Sequence, residues 1–201
     1  SFVKKLNFII AMLVALLVAD VFAARRDSEH TQDFAGITFG SSRETVIEEL
    51  MKMGYEPYGQ SGKAGERVVV PVFKFGDLPV QVDFIFNSNE KFSSFEIRTG
   101  RVERSRLGKA FEAVDYMSEQ FTLKYGKPSG APAISETSVL KESVRNFYLQ
   151  WFSVSSLDVN TAVIQIDGRY FAVGSVTQRT LSREKQKESD KAKAKSSAPV
   201  F

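Results

Sequence analysis

A helical stripe followed by three strand-like segments occurs twice in this chain, and no other feature narrows its fold as far. In the first pass Ser41 and Glu44 have the spacing of a capping box, in which each side chain satisfies a free backbone donor at a helix start. Val46, Ile47, Leu50 and Met51 then recur at helical spacing, and Gly54 supplies a stop. The helix is predicted over about 42–53. Val68 to Phe75 is β-branched and aromatic. Val80, Val82, Phe84 and Phe86 alternate with Gln81, Asp83 and Ile85, and Phe95 and Ile97 alternate with Glu96 and Arg98. Pro71 and Pro79 cannot donate to a ladder and belong at an edge or a strand start.

The second pass repeats the order. Leu107, Phe111, Val114, Met117 and Phe121 share one helix face, closed by Gly126 and Pro128. Ser129 to Ser138 reads as a loop, rich in Gly, Pro, Ala and Ser. Phe147, Leu149 and Trp151 alternate with Tyr148, Gln150 and Phe152. Ala162, Ile164 and Ile166 lead into Asp167-Gly168, a strong hairpin signal, and Tyr170 to Val176 is the return strand. The fold class expected is α+β, with two α-β-β-β units and the helices packed on one face of an antiparallel meander sheet. The helix ends Met53-Gly54-Tyr55 and Tyr125-Gly126-Lys127 punctuate both units alike, which fits an internal repeat.

Boundaries follow from composition. Lys4 and Lys5, an uncharged apolar run from Phe8 to Ala19, and Val21-Phe22-Ala23 together read as a secretory signal over 1–23, cut after Ala23. The competing reading is a retained inner-membrane anchor, against which stand the short run, Asp20, and Arg25-Arg26 on the far flank. The units then span 24–104 and 105–180, and 181–201 is a basic tail without core-forming residues, expected to be disordered. The expected location is the periplasm.

Charge and composition exclude several chemistries. The formal net charge is +3, and the excess sits in the tail: Arg183, Lys185, Lys187, Lys191, Lys193 and Lys195 face only Glu184, Glu188 and Asp190. The body is near neutral, so no nucleic-acid surface is expected; the tail offers contact with anionic lipid heads or an acidic partner. There is no cysteine and a single histidine, His30. Thiol catalysis, thiolate zinc and iron–sulfur sites are thereby excluded, and no cofactor or metal is expected. No phosphate loop, nucleophile elbow or dinucleotide fingerprint occurs; Gly59 to Gly65 is glycine-rich without phosphate-loop spacing. Asp83 and Glu96 fall on neighbouring strands but alternate with Phe residues, which sends both away from the core as exposed carboxylates. Seventeen Phe residues predict an aromatic core.

Two segments carry a resemblance. Phe34-Ala35-Gly36-Ile37-Thr38-Phe39-Gly40-Ser41-Ser42-Arg43-Glu44-Thr45-Val46 is similar to the lead-in of small bacterial envelope domains, and Leu123-Lys124-Tyr125-Gly126-Lys127-Pro128 resembles their helix exit. The nearest families are the small outer-membrane assembly lipoproteins of the BamE/SmpA type and the β-lactamase-inhibitor proteins, which pair helices with a meander sheet. The cysteine-free chain lacks the lipid-carrying residue of the first family.

These features lead to an exported, non-enzymatic module that binds another cell-envelope protein. Regular alternation puts Tyr148 and Phe152 on the face opposite Phe147 and Trp151, so one aromatic group should lie in the open. Tyr148, Trp151, Phe152 and Tyr170 are the candidate binding residues. The alternative is a periplasmic binder of a small apolar ligand or lipid, held between helices and sheet.

Overall fold

A computed structural model describes residues 32–60, 67–152, 154 and 156–182. The signal-like stretch, His30, most of the glycine-rich loop and all but the first two residues of the basic tail lie outside the described residues. From Phe34 onward the chain belongs to one compact unit.

The chain enters through a two-strand ribbon, β1 (Asp33–Phe34) and β2 (Ile37–Thr38). Helix α1 (Arg43–Lys52) follows. Its N-cap is Ser42, not Ser41: the Ser42 hydroxyl accepts from the backbone N–H of Thr45 at 3.2 Å. The expected box of Ser41 with Glu44 is therefore out of register by one residue. Glu44 instead sits in the first turn, where its own backbone N–H and the Ser42 hydroxyl hold its carboxyl below the usual range. At the other end Gly54 has φ +86°, and Tyr55 N–H and Gly54 N–H bond back to the carbonyls of Leu50 and Met51. This is a Schellman closure, which needs a residue free of left-handed strain.

Seven strands form the path of the main sheet. The first group is β3 (Tyr58–Gln60), β4 (Arg67–Phe75), β5 (Leu78–Phe86) and β6 (Phe92–Arg98). A short β7 (Val102–Glu103) pairs beside β10 and leads through a 3-10 turn into α2 (Leu107–Tyr125). The second group is β8 (Arg145–Trp151), β9 (Leu157–Ile166) and β10 (Arg169–Gln178). Every pairing in the sheet is antiparallel, in the order β3-β4-β5-β6-β10-β9-β8. The fold is α+β. Two local meanders, β4-β5-β6 and β8-β9-β10, meet at their final strands. The Asp167-Gly168 turn has positive φ at both residues, as its hairpin requires.

Register divides the sheet into two faces. One row crosses six strands as Val68, Phe84, Phe95, Val176, Val159 and Trp151, all buried. It faces the helices. Val46 and Leu50 of α1, and Phe111, Val114, Met117 and Phe121 of α2, close over that side. The core is aromatic: Phe34 stacks on Phe95 at 4.0 Å between ring centroids, and Phe121 meets Phe75, Phe95 and Trp151 edge-on. Such pairs add about 0.5–1.5 kcal/mol each beyond area burial. Gly174 lies in the adjoining row, where a Cβ would meet Ile97 and Phe121 at 3.0 Å. A side chain there would separate α2 from the sheet.

Candidate binding face

Alternation sends the next row to the side that no described helix covers. It reads Val69, Asp83, Glu96, Ser175, Asn160 and Gln150 across β4, β5, β6, β10, β9 and β8. Five of the six are polar, on five neighbouring strands, and long arginines from flanking rows bind several of them together. Asp83 is fully buried. Its Oδ2 accepts from Arg67 Nη1 at 2.9 Å and Arg98 Nη2 at 2.7 Å, and its Oδ1 accepts from Gln81 Nε2 at 2.7 Å. The carboxylate was expected to be exposed. The face is as alternation requires, but three donors, two of them guanidinium groups, shut it off from water.

Arg145 carries the pattern across the second meander. It starts on β8, donates through Nη1 to Asn160 on β9 and Ser175 on β10, and reaches Glu96 on β6 with Nη2. One side chain thus ties four strands and spans the seam between the meanders. Ala162 and Val173 are fully buried on this face. Arg179 pairs with Asp158 at 2.6 Å further along. These charge-assisted bonds hold the guanidinium groups in place and leave them partly exposed. Phe147, Tyr58 and Val72, all exposed, add apolar surface nearby.

The four aromatic residues singled out from sequence do not make one patch. Trp151 is a core residue, 1% exposed, and its indole N–H donates to the Gly126 carbonyl at 2.7 Å, fastening the end of α2 to β8. Tyr170 is 2% exposed, and its hydroxyl accepts from Arg104. Tyr148 is half-buried against Phe111 and donates to Asp115 Oδ1 at 3.0 Å. Burial first, then that bond to the carboxylate and its charge, push the Tyr148 hydroxyl up to about 12. Phe152 is 67% exposed. The alternation argument fails because the β8–β9 register shifts between Phe147 and Leu149. The extra residue lets Tyr148 and Trp151 both pack against α2, while Phe147 stays on the other face.

The residues missed from sequence are Arg67, Arg98 and Arg145. For Arg98 a signal existed, since it follows Ser94 and Glu96 on the polar phase of β6; Arg67 and Arg145 share their phases with Val69 and Phe147, which gave none. Which strand would lie beside which was the missing information.

Two of the clefts beside the sheet contrast in their lining. One, of about 470 Å³, lies between the β4–β5 turn and the end of α2, walled by Phe34, Phe73, Phe75, Phe121, Leu123 and Tyr125. The other, of about 510 Å³, lies at the ends of β5 and β6 and contains Tyr58, Gln81, Arg98 and Arg101. Among the described residues no three acidic or histidine side chains converge as metal ligands. No described helix is long and apolar enough to cross a membrane. No family model matches the chain, and no curated protein or solved structure is detectably similar to it.

Proposed function

We propose that this protein is a non-enzymatic binding module of the bacterial cell envelope, which docks an acidic surface of another envelope protein onto its helix-free sheet face. The observation that carries the reading is the row of ordered arginines on that face. Arginine and aromatic side chains are enriched at the centres of protein interfaces. Guanidinium groups already fixed by ion pairs lose little further freedom on binding. The two carboxylates that could have served acid–base chemistry, Asp83 and Glu96, are both committed to arginines, which argues against a hydrolase. Export and a periplasmic location rest on the signal-like residues 4–23. The two meanders joined last strand to last strand support a duplicated α-β-β-β unit with its helices on one side.

A photo-reactive side chain at Val72 or Phe147, on the open face, is expected to give one recurrent envelope-protein adduct in cells. The same group at Leu123, exposed on α2, should give none. Adducts from Leu123 alone would overturn the docking face. The second reading, a small apolar ligand or lipid, is favoured by the aromatic cleft beside Phe75 and Leu123. It requires native-state mass spectrometry of the extracted protein to show a bound apolar mass that Leu123→Glu removes.

A further inference from the structure

The cleft at the ends of β5 and β6 differs in chemistry from the rest of the surface. Among its lining residues is Arg98, which spends one Nη on Asp83. Arg98 Nε is buried and has no acceptor among the described residues. Arg101, exposed at the rim, has its guanidinium carbon 5.7 Å from the centroid of the Phe171 ring and makes no ion pair within the described residues. The ring orients that cation without neutralising it. No carboxylate lines the cleft, whereas Gln81 and Tyr58 add polar groups and Pro71 and Val72 form an apolar wall. Two guanidinium groups, one paired with Asp83 and one not paired within the described residues, thus share a recess with an apolar wall. Its volume of about 510 Å³ falls within the range of small-molecule pockets.

We infer that this cleft binds a small organic acid, its carboxylate held by Arg101 and Arg98 and its apolar body laid against Pro71 and Val72. The carboxylate matches the planar fork of a guanidinium, which can donate two parallel bonds. The cleft shares Arg98 and Val72 with the open sheet face, but the inference does not require a protein to dock there, since Arg101 and the recess beside it would receive the ligand alone.

Heteronuclear NMR of the full chain tests it, with benzoate, phenyl phosphate, inorganic phosphate and benzamide as probes at about 10 mM, enough to reveal millimolar binding. Benzoate should move the amide resonances of Thr99, Gly100 and Arg101 in a saturable way that weakens with salt. Neutral benzamide should not. Arg101→Gln should weaken benzoate about tenfold, the scale of one lost charge-assisted hydrogen bond, and Arg101→Lys should recover only part of it. Arg101 is exposed and outside the Asp83 cluster, so the variants should keep the wild-type spectrum elsewhere. Benzamide binding as well as benzoate, or unchanged benzoate affinity in Arg101→Gln, would overturn the site. Saturable shifts with phenyl phosphate or inorganic phosphate but not with benzoate would make the ligand a phosphate and overturn the organic-acid assignment.

Discussion

Asp83 concentrates the energetics of the open face in one side chain. A carboxylate without exposure is tolerable only when its charge and lone pairs are answered, and here Arg67, Arg98 and Gln81 do so. Removing one member of a buried pair costs about 3–5 kcal/mol. Asp83→Ala should fall near the lower end, about 3 kcal/mol by urea unfolding, because both arginines keep partial access to water. Asp83→Leu should recover little, since it strands the same two cations. Tyr148 sets a different test. Its hydroxyl titrates near 12 when folded and near 10 when unfolded. The unfolded chain therefore loses this proton first, so the stabilisation is whole below pH about 10 and declines as pH rises towards about 12. Tyr148→Phe should flatten that part of the alkaline fall in melting temperature, and the difference in phenolate absorbance between the two proteins should show one late-titrating group.

At the scale of elements, α1 and α2 were legible because each must show one apolar stripe to the sheet. Of the first stripe Val46 and Leu50 are core, Ile47 packs at its margin and Met51 is exposed; of the second, Phe111, Val114, Met117 and Phe121 are all core. The Asp167-Gly168 hairpin was equally plain, since positive φ at two successive residues selects those residue types. What failed was phase within β8, because an inserted residue leaves no mark in the alternation it disturbs. Outer carbonyls of β8 also have partners that are visible only in three dimensions. Ser129 N–H bonds to Gln150 O at 2.8 Å and Ala133 N–H to Tyr148 O at 3.0 Å. The loop thus occupies a strand edge that would otherwise recruit other chains. Ala133→Pro combined with Ser129→Pro deletes both donors. Light scattering should then find dimers or larger species, whereas the wild type should remain monomeric at the same concentration. Oligomer-free behaviour of the double variant would show that the edge is protected by other means.

For the whole molecule, the decisive contact is the seam between β6 and β10. Its register, with Gly174 opposite Ile97 and Val176 opposite Phe95, joins residues about eighty positions apart. No local pattern encodes such a pairing, so sequence could list the strands of each meander without saying whether they share a sheet. The same distance explains why one arm of the arginine network was invisible: Glu96 and Arg145 become neighbours only once the seam has formed. Gly174 tests this level. Gly174→Ala forces a methyl against Ile97 and Phe121 and should cost about 1–3 kcal/mol, the usual penalty of overpacking. Because α2 and both meanders meet there, fluorescence and circular dichroism should report one shared transition with an unchanged denaturant slope. Separate transitions would mean that the halves fold independently.

That seam has a temporal side. β10 lies between β6 and β9, yet among the described strands it is the last to leave the ribosome. Until it emerges, the first meander has an open inner edge and the second lacks its return strand. The main sheet therefore cannot be completed until β10 has been made. A sheet whose interior strand is also its last cannot close early, so both meanders wait on one partner that neither of them supplies until then.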